Sequence, residues 1–343
     1  MQDSAVPNGV SIETTGRLDA EEVAEVTALV SAAADTDGRR PLSEHVTLHL
    51  RYGGDAEVRN VLLRGHDGEL AGYAHLDVTD AVEGGSAELA VHPKARGQGY
   101  GRALVAALVA QAPPRGLRLW AHGEHPGASR LAEGMGFTRI RAMWQMRRSL
   151  FAPIPALPMP EGVQVRTFEP GQDDEAWVEL NAQAFAHHPE QGSWSIDDLR
   201  RRMHERWFDP AGFFIAERDD HMVGFHWTKV HGGDGPMGRP HTHEGDQGGH
   251  GGHGGHGHEP IGEVYVVGVH PKEQGKGLGK ALTVVGLRHL RALGLPDAML
   301  YVEEDNKAAI RLYEALGFTY WDTDVMFRWR PGSSSPLAAG SHP

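Results

Sequence analysis

The run Gln274-Gly275-Lys276-Gly277-Leu278-Gly279 sets three alternate glycines between an apolar stretch, EVYVVGV, and an amphipathic one, LGKALTVVGLRHLRALG. Glycine admits turns in which several amide N–H groups face one point, and a helix starting there adds partial positive charge. Such a cradle suits an anion, for example a pyrophosphate, with Lys276 and Lys280 adding charge at its rim. Two further groups could move protons beside it. Glu263 begins the apolar stretch, and Tyr313 sits in an amphipathic run, AAIRLYEALG, that follows Asn306. A phenol with a pKa of about 10 is neutral at pH 7 and can give its proton to a stronger base, while a carboxylate can take one up.

The cradle is not the phosphate loop GxxxxGK[ST], because the spacing differs and no Ser or Thr follows its lysine. Nor does it fit the dinucleotide fingerprint, which follows the first strand of a βαβ unit, since three strand-like stretches precede the one that leads into it. A nucleotide-dependent dehydrogenase is thereby demoted. VHPKEQGKGLGKAL (269–282) has a near copy in VHPKARGQGYGRAL (91–104), identical at nine of fourteen positions and offset by 178 residues, His270 against His92.

The elements that must position these residues also recur. In the first half VRNVLLRG and LAGYAHLDVT read as adjacent strands turned at HDGE, and SAELAV as a further strand. A helix over 103–111, a strand LRLWAH, a short helix ASRLAEGM and a strand FTRIRAMWQMRRS follow. In the second half VQVRTF is a strand, DDEAWVELNAQAF a helix, and GFFIAER, MVGFHWTKV and GEVYVVGV are strands. The helix after the glycines, the strand AMLYVEE, the helix AAIRLYEALG and the strand FTYWDTDVMFRW complete it. Each half is a mixed α/β unit with an α+β mixed sheet, and the chain is a tandem duplication. Pro153, Pro155, Pro158 and Pro160 mark a linker over 151–162, between a domain at 1–150 and one at 163–330; 331–343 reads as a disordered tail.

With 343 residues the chain is long enough for two cores, at about 100–200 residues per domain. A net charge of −13 disfavours nucleic acid, and the lack of cysteine excludes disulfides and thiol nucleophiles. Neither a signal peptide nor an apolar run of about 20 residues is apparent, so a cytoplasmic protein is expected, away from membranes and acting as a monomer. The stretch 231–260 holds seven of the 22 histidines, His231, His241, His243, His250, His253, His256 and His258. Neutral imidazoles can bind Zn, Ni or Cu, but the glycine-rich composition reads as a flexible solvated loop, and no metal is expected.

The glycine run followed by Asn306-Lys307-Ala308-Ala309-Ile310-Arg311-Leu312-Tyr313 and Gly317-Phe318 resembles the GNAT N-acetyltransferase superfamily. There [QR]xxGx[GA] cradles the pyrophosphate of acetyl-CoA and NxxAxxxYxxxGF supplies the general acid. The resemblance implies that Val267, Gly268 and Val269, then Gln274, Gly275, Lys276, Gly277, Leu278, Gly279 and Lys280, then Asn306, Lys307, Ala308, Ala309, Ile310 and Arg311 hold acetyl-CoA. It implies Tyr313 as the acid, with Glu263 the candidate base. In the first half it implies a second acetyl-CoA against Leu89, Ala90, Val91, Gly97, Gln98, Gly99, Tyr100, Gly101 and Arg102. Alignment of Gly136-Phe137 with Gly317-Phe318 puts Ala132 at the position of Tyr313 and His125 at that of Asn306, and the loop register puts Gly85 opposite Glu263. The first half is therefore expected to bind without turning over.

The tandem arrangement, with GEVYVVGVHP, AFAHHPEQGSW and YVEEDNKAAIRLYEALGF, is similar to the mycothiol synthases within that superfamily. This implies transfer to the cysteinyl amine of a cysteinyl-glucosaminyl-inositol, with Glu44, Glu190, Lys229, Glu263 and Tyr301 as acceptor contacts. Another amine, an aminoglycoside or a protein N-terminus, and a non-catalytic acetyl-CoA sensor are the alternatives.

Overall fold

The first half opens with β1 (Ser11–Thr15), α1 (Ala20–Asp37) and α2 (Glu44–Tyr52), followed by β2 (Val58–Arg64), β3 (Leu70–Asp77) and β4 (Gly85–Val91). After these come α3 (Tyr100–Ala110), β5 (Leu117–Ala121), α4 (Pro126–Gly134) and β6 (Thr138–Ser149). The second half runs β7 (Gln164–Thr167), α5 (Asp174–Ala184), α6 (Pro189–Gly192), α7 (Ile196–Met203), β8 (Phe213–Arg218), β9 (His221–His231) and β10 (Ile261–Val269). It ends with α8 (Leu278–Ala292), β11 (Asp297–Glu303), α9 (Lys307–Glu314) and β12 (Thr319–Trp329). This computed structural model describes residues 9–53, 57–79, 84–123, 125–231 and 260–332; the histidine-rich stretch past His231 and the tail from 333 lie outside them.

The chain forms two compact units, and the cut does not follow the proline-rich segment. One comprises the chain up to Trp144 together with the part from Asp322 onward, and the other runs from Gln145 to Trp321. In the first unit β1 to β4 pair antiparallel in sequence order, β4 and β5 pair parallel, and Val325–Trp329 of β12 pairs antiparallel with Leu117–Ala121. Asp324, just before that segment, accepts from the Gly123 amide at 2.7 Å and lies 3.0 Å from His122. The end of the chain thus closes the sheet of its beginning.

β3 is buried from Leu70 to Leu76 because both faces of the sheet are covered, which erases the alternation a one-sided sheet would show. Leu104, Val105 and Leu108 of α3 pack on one face with Leu63, Ala74 and Leu76. Val26 and Leu29 of α1 pack on the other with Leu62, Tyr73 and Ala90. α1, α2 and β1 add to the elements expected from the sequence. In α1 only Val26, Leu29 and Ala33 are buried among many small and polar residues, so its apolar stripe is thin. A capping box at Asp19 and Glu22 starts the helix and Gly38 ends it in the left-handed region, φ 69°.

In the second unit β7 to β10 pair antiparallel in order, β11 joins β10 in parallel, and β6 adjoins β11. Trp177, Phe213, Phe225 and Trp227 form the heart of the core beneath α5 and α7. Two features of β10 shape the site. Its ladder with β11 covers only Gly262↔Ala298 and Glu263↔Met299, after which the strands part; its pairing with β9 shifts between Val264 and Val266, a bulge at Tyr265.

Candidate active site

Where β10 and β11 separate, a cleft of about 180 Å³ opens in the second unit, lined by Val267, Gly268, Val269, Gln274, Gly279, Ala309, Leu312 and Tyr313. Ala184, Phe185 and Thr283 complete its walls, and the first two open the stretch AFAHHPEQGSW. The strand edge here is bare because the ladder has ended. Gly268 cannot carry a side chain, since a Cβ would collide with the Phe225 ring opposite it.

The cradle takes the geometry its glycines allow. Gly275 and Gly277 have φ of 78° and 84°, the left-handed region, and a Cβ added to either would meet nothing within 4 Å, so the space before them is open. Gly277 caps α8 without any side-chain hydrogen bond, leaving the first amides of the helix for a ligand. The Gln274 amide Nε2 donates to the Val269 carbonyl at 3.2 Å, tying loop to strand. Lys276 is turned to Glu273 at 3.0 Å. Leu278 and Ile310 are buried core residues, so their backbones alone can meet a ligand. Lys307, Ala308 and Arg311 lie exposed on α9.

Asn306 caps α9, its Oδ1 accepting from the Ala309 amide at 3.0 Å, and this orients Tyr313 two turns on. The Tyr313 ring meets Phe318 edge-on at 5.9 Å. The ring keeps some exposure, yet burial of the phenol raises its pKa to about 12, and among the described residues nothing hydrogen-bonds to its hydroxyl. It is a neutral donor with its proton uncommitted.

Glu263 does not line this cleft. It lies four residues before Val267, roughly 10–13 Å along the strand, and is buried. His231 Nε2 sits 2.6 Å from its Oε2, and Lys229 is its register partner on β9. In the sequence His231 is masked as a partner by the low-complexity stretch it opens, one of seven histidines there; the i, i+2 relation of Lys229 and His231 on a strand is the available signal. The Lys229 ammonium lies 4.5 Å from the Trp207 ring and 5.0 Å from that of Tyr265. The bulged Tyr265 accepts from Arg202 Nε at 2.9 Å, and that buried guanidinium lies 3.6 Å over Trp194. Tyr301 on β11 accepts from Gln145 Nε2 at 2.7 Å. Glu190 falls in α6, which is tied to α5 by paired hydrogen bonds between Asn181 and Gln191. Glu44 opens a helix, α2, in the first unit.

The first unit repeats the cradle. Gly97 and Gly99 have φ of 77° and 86°, and Gly99 caps α3 without a side-chain bond. His125 caps α4 through the Gly127 amide at 3.1 Å, as Asn306 caps α9, and the buried Ala132 stands at the position of Tyr313. Ala90 and Tyr100 are core residues, and Arg102 reaches the Met135 sulfur at 3.4 Å. Two things differ. Arg96 forms a bidentate ion pair with Asp37 at 2.7 and 2.8 Å, and a Cβ on Gly101 would come within 3.1 Å of Leu131, so α4 lies close over α3. The counterpart of Glu263 is Ser86, not Gly85. Ser86 pairs with Asp77 and Arg118 as Glu263 pairs with Lys229 and Met299, and the bulge at Tyr265 accounts for the one-residue shift.

Glu88 in that unit is buried between the Ser43 amide, 2.6 Å away, and His122, 3.3 Å away. Burial, the largest single influence, would raise its pKa, but the His122 charge and the hydrogen bonds from His122 and Ser43 together outweigh it and hold it at about 2. Burial would correspondingly lower His122, and the carboxylates of Glu88 and Asp324 instead hold it at about 10. A carboxylate so neutralised is a poor base.

The sequence profile of the acetyltransferase (GNAT) family matches residues 28–137 and again 175–318. The chain is 58% identical to a mycothiol acetyltransferase of Acidothermus cellulolyticus, over 94% of this chain and 96% of the relative. It is 55% identical to one of Streptosporangium roseum, over 92% and 98%. Among solved structures, a GCN5-related N-acetyltransferase of Sphaerobacter thermophilus superposes with a TM-score of 0.64 at 26% identity, covering 96% of this chain and 98% of that one. A tandem GNAT protein of clavulanic acid biosynthesis shares the fold, with a TM-score of 0.67 at 21% identity over 95% and 99%. With its glycine cradle and capped helix present twice, the chain belongs to the acetyltransferase (GNAT) family.

Proposed function

We propose that the second unit transfers the acetyl group of acetyl-CoA to the cysteinyl amine of a cysteinyl-glucosaminyl-inositol, the chain acting as a monomer. Relatives named mycothiol acetyltransferase support this acceptor, and the observation that carries the chemistry is Tyr313 on the wall of a cleft that ends in an open glycine cradle. Amides of Gly275 to Gly279 and the α8 N-terminus hold the phosphates, while the bare edge of Val267 to Val269 aligns the thioester arm and polarises its carbonyl. Acetyl-CoA supplies an activated acyl group. As the amine nitrogen bonds to the acetyl carbon and the carbon–sulfur bond breaks, Tyr313 gives its proton to the sulfur. The burial that raises the phenol disfavours a bare thiolate in the same place. The proton lost by the amine passes to Glu263, steadied by His231, and water spans the interval along the strand. An α-amino group titrating at about 7.7–8.0 needs no stronger base.

The first unit, with Ala132 and Ser86 in place of the acid and the base, binds a second acetyl-CoA without turnover. Tyr313→Phe is expected to lower kcat by about 10²–10⁴-fold with the KM for acetyl-CoA little changed, followed as release of free thiol. Full activity in that variant would end the assignment.

A further inference from the structure

One face of the second unit carries a row of contacting side chains that leads away from Glu263. Met299 is the register partner of Glu263, and Gln145 Nε2 lies 3.6 Å from the Met299 sulfur while donating to the Tyr301 hydroxyl. Arg147 Nε donates to Gln145 Oε1 at 3.1 Å, and the Arg147 guanidinium lies 4.2 Å over the Trp321 ring. The Thr319 hydroxyl donates to the Arg147 carbonyl at 3.3 Å, fixing the start of β12 beside β6. The row crosses β10, β11, β6 and β12, and three strand intervals at about 4.8 Å give about 14 Å from Glu263 to Trp321.

Its far end is aromatic and exposed. Trp321 is 60% exposed and Tyr301 37%, yet both are held by polar partners rather than left to swing. An indole clamped on one face by arginine offers its other face to a ring bearing axial C–H groups, with amide and hydroxyl donors alongside for its oxygens. The charge along the row also discriminates. The carboxylate Glu263 lies at the near end, whereas the far end carries the cation Arg147, which suits a neutral polyol and repels an acceptor with several ammonium groups.

We infer that Trp321, steadied by Arg147 and Gln145, is the subsite for the terminal polyhydroxyl ring of the acceptor, and that it sets the preference for a cysteinyl pseudodisaccharide over shorter cysteinyl amines. The inference rests on the acceptor proposed above. The test is steady-state kinetics at saturating acetyl-CoA with cysteinyl-glucosaminyl-inositol and with cysteinyl-glucosamine, which lacks the inositol, on wild type, Trp321→Ala and Trp321→Phe. The ratio of kcat/KM for the long over the short acceptor is expected to fall about tenfold in Trp321→Ala, through KM for the long acceptor, and to stay within about twofold in Trp321→Phe. A ratio unchanged in Trp321→Ala overturns the subsite while leaving the acceptor in place. A wild-type protein that acetylates neither cysteinyl compound removes the acceptor, and the subsite with it.

Discussion

His226 on β9 is wholly buried behind the cleft, with Nδ1 2.7 Å from the Leu282 carbonyl of α8 and Nε2 without a hydrogen-bond partner among the described residues. Burial lowers its pKa to about 4, the bond to Leu282 opposing only in part. An unfolded histidine titrates at about 6.5, so below that pH the unfolded chain takes up a proton that the fold refuses. The stability tied to His226 is therefore complete above pH 6.5 and is lost as the pH falls toward 4, by about 2 kcal/mol between pH 6.5 and 5. In urea titrations at pH 7 and pH 5, His226→Gln should lose less stability on acidification than wild type by about that amount; equal losses would show that the imidazole is already charged or solvated in the fold. His122 in the first unit has the opposite sign. Held at about 10, it stabilises in full below pH 6.5, and that contribution drains away as the pH climbs toward 10.

The two glycine cradles separate binding from chemistry. Replacing Gly277 or Gly99 by Ala forces a side chain into the left-handed region, at a cost of about 1–2 kcal/mol, and sets a methyl in the space before the loop. Either change is expected to reduce acetyl-CoA stoichiometry in calorimetry from two to one, whereas Gly277→Ala alone should raise the KM for acetyl-CoA, about tenfold or more. One equivalent bound by wild type would remove the second site. These cradles, the Asn306 cap and the face carrying Tyr313 were legible in the sequence because each is a short-range pattern set by a few residues. The bulge at Tyr265 was not, since a one-residue insertion in an apolar strand leaves no compositional mark and appears only in the partner strand's register. α7 was hidden for a related reason: its inner face is Leu199 and the charged Arg202, whose burial depends on Tyr265, 63 residues away in sequence, as well as on Trp194 just before the helix.

For the whole molecule the governing feature is the placement of β12. A chain ending at Trp321 would leave the β5 edge of the first unit unpaired along Leu117–Ala121 and His122 without Asp324. Such a truncation is expected to abolish protection of the β5 amides in hydrogen exchange and to promote aggregation, while loss of 333–343 alone should leave that protection intact. Retained protection without β12 would mean that the first unit closes by itself. The same placement reorders folding in time. Residues up to Trp144 leave the ribosome first, yet the strand that completes their sheet is made some 180 residues later, about 10–40 s at ordinary elongation rates. The half of the protein that begins first can therefore finish only after β12 has been made, and for that interval its open edge is exposed to whatever else can bind a strand.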